Sequence, residues 1–93
     1  MPRTKKPRKC GCPFRGKAFK PTGIPLAEIG HVSLSRDELE ALKLCDLDGL
    51  TQEEAGGRMG VSRGTVQRIL TAARGKVAAA LVKGSALIFE DKH

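Results

Sequence analysis

Ninety-three residues form one small domain that can bury about 60% of its unfolded surface. Trp and Tyr are absent and Phe occurs three times, so aliphatic side chains must fill the core and a roomy enzyme cleft is not expected. The net charge is +7, and the whole excess lies in the first twenty residues, where Arg3, Lys5, Lys6, Arg8, Lys9, Arg15, Lys17 and Lys20 stand without an acid.

Residues 1–25, "MPRTKKPRKCGCPFRGKAFKPTGIP", are rich in Pro, Gly and basic residues and show neither helical nor strand periodicity, which predicts a basic, partly flexible arm. "MPRTKKPRK" has no apolar run behind its charges, as a secretory signal would. No segment reaches the roughly 20 apolar residues of a membrane span. The expected location is cytoplasmic, with no membrane partner and with the odd set Cys10, Cys12 and Cys45 reduced rather than disulfide-bonded.

Residues 26–93 are expected to form the folded domain. "EIGHVSL" leans towards a strand through Ile29, Val32 and Leu34. "SRDELEALKLCDLDGL" opens on a capping box, Ser35 with Glu38 three residues on, and predicts a helix over 36–48. Its apolar positions are Leu39, Ala41, Leu42, Cys45 and Leu47, and Gly49 is its stop. A second capping box, Thr51 with Glu54, opens "QEEAGGRM". The chain then turns at Gly60-Val61-Ser62, and Ser62 caps "RGTVQRILTAARGKVAAALVKG". That helix has Val66, Ile69, Leu70, Ala73, Val77, Ala80 and Leu81 on one stripe, and either runs about 20 residues or bends near Gly75. "SALIFED" is a short apolar strand that can pair with "EIGHVSL". The fold class is therefore mainly α: a three-helix, helix-turn-helix core with a basic N-terminal arm and a small two-stranded β element.

The helix-turn-helix reading, with the motif over 51–74, rests on positions at fixed offsets. Gly56 is small where the second helix passes close. Gly60 stands where a tight corner needs a positive φ. Met59 closes the first helix on its inner face, Val61 is the apolar residue of the turn, and Val66 and Ile69 pack inward. With the second helix in a major groove, Ser62, Arg63, Gly64, Thr65, Gln67, Arg68 and Thr71 face the DNA. Arg63 and Arg68 suit guanine, Gln67 suits adenine, and the hydroxyls suit phosphates or single base contacts. Gly64 leaves space for a close backbone approach, and Gly57 has no evident use. From the arm, Arg3, Lys5, Lys6, Arg8 and Lys9 would neutralise phosphates or enter the minor groove.

The stretches "FKPTGIPL" and "LSRDELEALKLCDLDGLTQEEAGGRMGVSRGTVQRILTAARGKVAAALVKGSAL" resemble the domain-of-unknown-function 134 family, also called uncharacterised protein family 0251. These are small bacterial and archaeal proteins predicted to bind DNA. Residues 50–77 also resemble region four of sigma factors. The resemblance implies a sigma-region-four-like fold, sequence-specific binding of duplex DNA and a role in transcription control. The chain departs from the family pattern at Gly64, where relatives favour Pro, and at Gly56, Gly57 and Gly75. Gly57 and Gly75 predict a looser domain.

Other functions have less to stand on. Cys10 and Cys12 form a C-x-C pair that His31 and Cys45 could complete as a metal site, and Arg8 and Lys9 beside it favour a reactive thiolate. The alternative function is thus a metal- or redox-responsive protein-interaction module. Cys45, three residues from Leu42, reads instead as a core thiol, and His31 as structural. No Ser-His-Asp set, phosphate-cradling loop or hydrolase motif is present, so no enzyme activity and no cofactor are expected. Arm-driven, non-specific binding to nucleic acid, RNA included, is a third reading. A homodimer is a further expectation, since two-fold readers meet palindromic sites.

Overall fold

The computed structural model describes residues 18–90. Its elements run β1 (Ala18–Phe19), a 3-10 turn (Leu26–Glu28), β2 (His31–Leu34), α1 (Arg36–Ala41) continuing as a π-helical turn (Leu42–Leu47), α2 (Gln52–Met59), α3 (Arg63–Lys83) and β3 (Ala86–Phe89). The expected mainly helical core with a small β element is present, and the sheet has three strands rather than two.

Each helix begins where its capping residue stands. Ser35 Oγ accepts from the Glu38 N–H and the Glu38 carboxylate accepts from the Ser35 N–H, at 3.2 and 2.9 Å. Thr51 and Glu54 repeat the exchange at 3.0 and 2.9 Å. Each box satisfies two amides that a helix start leaves without partners. Ser62 Oγ accepts from the Thr65 N–H at 3.1 Å and opens α3. The helix then runs 21 residues without a break through Gly75, or about 31 Å.

β2 and β3 pair in parallel, Val32 opposite Leu87. Parallel neighbours need a long crossover, and here α1, α2 and α3 together supply it. β1 pairs antiparallel with the other edge of β3, Ala18 opposite Ile88 and Phe19 opposite Leu87. Residues 18 and 19, assigned to the arm from sequence, therefore belong to the sheet, because two residues are too few to show a strand period. Lys20, next in the chain, folds onto the following loop, its ammonium donating to the Ile24 carbonyl at 2.7 Å.

Two hydrophobic clusters fill the interior. Leu34, Ala73, Ala80 and Leu87 join the sheet to the C-terminal half of α3. Leu44, Ala55 and Val66, flanked by Cys45, Leu50 and Met59, join the π turn and α2 to its N-terminal half. Cys45 thus packs partly buried against the core. Two expected core positions are corrected. Leu47 is 73% exposed while Leu44 is 5% exposed, because an apolar stripe read at a constant 3.6-residue period loses its phase where hydrogen bonding changes to i→i+5. That change is seen in the Asp48 N–H reaching the Lys43 carbonyl at 2.8 Å. Leu81 is 70% exposed, since Ala80 takes the inward position and the next residue lies about 100° round the helix.

At the corner between α2 and α3, Gly60 has φ 76°, a left-handed conformation that costs an L-residue with a side chain about 1–2 kcal/mol. A Cβ on Gly56 would lie 2.6 Å from the Val61 carbonyl oxygen, closer than real contacts allow. Val61 itself is 37% exposed, so its backbone rather than its side chain makes the corner. Gly57 and Gly75 have nothing within 4 Å of an added Cβ and carry no positive φ. We expect Gly57→Ala and Gly75→Ala each to stabilise the domain by about 1 kcal/mol through helix propensity, a rise of roughly 4–8 °C in Tm for a domain this size. Gly56→Ala should lower stability by about 1–3 kcal/mol through overpacking. Thermal unfolding of the three variants checks the contrast.

Candidate nucleic-acid interface

The N-terminal half of α3 presents its outer face to solvent while Val66 and Leu70, 0 and 1% exposed, hold its inner face against the core. Of the seven positions expected at the interface, Ser62, Arg63, Gln67, Arg68 and Thr71 are exposed, and Gly64 and Thr65 are half-buried. All seven lie on this one helix start. Arg63, Gln67 and Thr71 form no side-chain hydrogen bond or ion pair with another described residue.

The hydroxyls of Ser62 and Thr65 are already engaged. Their oxygens are 2.9 Å apart, and Arg68 Nη2 donates to Thr65 Oγ1 at 3.3 Å. Whichever hydroxyl donates to the other, the pair keeps a single O–H for an outside acceptor.

Charge is arranged along α3 in a way the composition hides. From Ala55 to Phe89 the chain has six basic residues, Arg58, Arg63, Arg68, Arg74, Lys76 and Lys83, and no acid. Two of them are turned inward on the molecule's own acids. Arg74 grips Asp46 of the π turn with two hydrogen bonds, 2.7 and 3.1 Å. Lys76 meets Glu38 of α1 at 2.8 Å, on the same carboxylate oxygen that caps Ser35. Arg58, exposed in the last turn of α2, is a basic residue that the helix-turn-helix pattern did not single out. The acid-free run was the signal for it.

These ion pairs also shift their carboxyls. Burial pushes the Glu38 carboxyl up, but the hydrogen bonds and charge of Lys76 with the Ser35 amide and hydroxyl outweigh it, so the net shift is downward from 4.5. The Arg74 hydrogen bond, aided by its charge and opposed by slight burial, holds Asp46 below 3.8. The same bond raises the Arg74 guanidinium.

The other candidate centre does not assemble from the described residues. No group of three or more His, Cys, Asp and Glu could hold a metal among them. His31 lies on β2 with its Nε2 2.9 Å from the Leu26 carbonyl, a structural contact, and Cys45 packs in the α2 cluster. Cys10, Cys12 and the arm bases Arg3, Lys5, Lys6, Arg8 and Lys9 lie outside the described residues. Among those described, no helix is long and apolar enough to cross a membrane.

A helix-turn-helix unit mounted on a small mixed sheet is the class of protein that these elements define. The chain belongs to the DUF134 family, described as proteins of unknown function, whose match spans residues 1–92. It is similar to UPF0251 proteins of several bacteria. That of Halothermothrix orenii is 58% identical over 72 residues, covering 77% of this chain and 53% of the relative. That of Vibrio vulnificus is 51% identical over 87 residues, covering 94% and 87%. That of Shewanella sediminis is 43% identical over 93 residues, covering 100% and 97%. The chain thus spans about half the length of the first and nearly all of the other two. No solved structure matches.

A depressed carboxyl pKa contributes stability that is complete above the unfolded value and is lost as pH falls through the folded one. Unfolding stability should therefore drop as pH falls from about 5 through the depressed values of Glu38 and Asp46. Lys76→Met should make that acid limb shallower and cost on the order of 1 kcal/mol at pH 7, because the Lys76 end of this part-buried pair is open to solvent. Urea melts between pH 3 and 7 measure both effects.

Proposed function

We propose that the protein is a cytoplasmic, sequence-specific duplex DNA-binding protein acting in transcription control. The N-terminal half of α3 enters the major groove and the basic arm lies on phosphates. The observation that carries this reading is the outer face of α3. It presents Arg63, Gln67, Arg68 and Thr71 to solvent at the start of a helix fixed by a glycine corner, and no acid occurs anywhere along that helix. Arg and Gln there match the acceptor and donor patterns of guanine and adenine edges. A carboxylate on this face would repel the phosphates flanking the groove.

The sheet supports a contribution from the arm. β3 leaves the C-terminal end of α3 and runs beside β2 towards Ser35, where Glu38 meets Lys76. β1 is antiparallel to β3, so the chain enters β1 from the end of the sheet that lies towards the middle of α3. From there, the length of the arm suffices to reach the N-terminal half of the helix at about 3.3 Å per extended residue.

Selection from random duplex DNA tests the reading. The wild type should enrich one motif, Arg63→Ala combined with Arg68→Ala should abolish enrichment, and removal of residues 1–9 should retain the motif at lower affinity. The slope of log K against log salt should fall by about 0.9 for each phosphate contact removed with the arm, up to roughly 4–5 for its five bases. Absence of any enriched motif with the wild type would overturn sequence-specific binding.

A further inference from the structure

The geometry points to Arg68 as the residue that sets the base preference of α3, for guanine, and to Thr65 as the residue that positions it. This rests on the major-groove reading above and assigns unlike roles to side chains which that reading treats alike. Thr65 and Arg68 are three apart and share a face. The chain of contacts starts from the backbone: the Thr65 N–H holds Ser62 Oγ at 3.1 Å, Ser62 Oγ holds Thr65 Oγ1 at 2.9 Å, and Thr65 Oγ1 accepts from Arg68 Nη2 at 3.3 Å. An arginine otherwise free to swing is thereby drawn towards the helix start, the part of such a helix that meets base edges.

Gly64 completes the arrangement. A Cβ there would lie 3.9 Å from Arg68 Nη1 and 4.0 Å from Ser62 Oγ, so the guanidinium lies beside an open position that a longer side chain would contest. One N–H of five is used on Thr65, and the others stay available for the O6 and N7 acceptors of guanine. Arg63 and Gln67 have no such tether among the described residues. Ordering a long side chain before binding removes part of the entropy lost on binding. The hydroxyl of Thr65 thus acts on DNA through Arg68.

The test is selection from random duplex DNA by the full chain and four variants, with thermal unfolding recorded for each. Arg68→Ala should lose guanine at one position of the motif, by roughly 5- to 150-fold, the discrimination of one bidentate contact. Arg68→Lys should not restore it, since an ammonium lacks the planar fork. Thr65→Val keeps the side-chain shape without the hydroxyl and should weaken guanine at that same position by roughly two- to twelvefold, with the rest of the motif unchanged. Thr65→Ser should restore the preference. If valine impairs folding, Thr65→Ala takes its place with the same expectation.

A Thr65→Val effect spread evenly over the motif, or confined to a different position, would overturn the positioning role and make Thr65 a direct contact. An unchanged guanine position would overturn it as well. Both outcomes leave the major-groove reading standing, whereas a wild-type protein that enriches no motif would remove both.

Discussion

The backbones of α2 and of the turn leading into α3 meet at Gly56, where the Val61 carbonyl leaves room for a hydrogen and no more. Gly56 also gives its own carbonyl to the Gly60 and Val61 amides, at 2.8 and 3.0 Å. Contact and hydrogen bonds together fix the corner from which α3 departs. Both hydrophobic clusters are attached to that helix: Ala55 and Leu44 pack on its first half through Val66, and Leu34 and Leu87 pack on its second through Ala73 and Ala80. A displaced corner would move the exposed arginines of α3 relative to all of them.

One unbroken helix serving two clusters also carries the ion pairs. Arg74 and Lys76 lie near the middle of α3, between Ala73 and Ala80 in sequence, where α1 and its π turn contact it. A salt bridge open to solvent at one end or both, as Lys76–Glu38 and Arg74–Asp46 are, contributes little energy. These two serve more by consuming cations that would otherwise extend the positive face of α3 past its first three turns. Arg63 and Arg68 at the helix start are then left without an acidic partner among the described residues, as is Lys83 at its far end. Leu81 and Val82, 70 and 84% exposed, stand beside Lys83 at the opposite end.

Much of the fold was legible because its signals are local. A capping box spans four residues and its bonds close within them, so Ser35, Thr51 and Ser62 mark helix starts whatever the rest of the chain does. Gly60 signals a left-handed corner because few other residues tolerate one. The seven interface candidates lie within ten positions at the start of one helix, and five of them are exposed there. Gly57 and Gly75 weaken helix propensity without interrupting either helix. Leu47 and Leu81 misled because the first lies beyond a change of helical period and the second stands one residue round from the buried Ala80.

By itself, then, the sequence determined where helices begin, where the chain turns sharply, which face of α3 is polar, and that no acid interrupts it. Each of these follows from residue chemistry acting over a few positions. Only the tertiary structure decided that β2 and β3 run parallel, that Ala18 and Phe19 join them as a third strand, and that Arg74 and Lys76 reach acids 28 and 38 positions away. It likewise settled which side-chain atoms Arg68 rests against. Strand register and long-range ion pairs depend on how α3 lies against the sheet and α1. That placement is a sum of many small packing terms from distant residues, and no short stretch of sequence contains it.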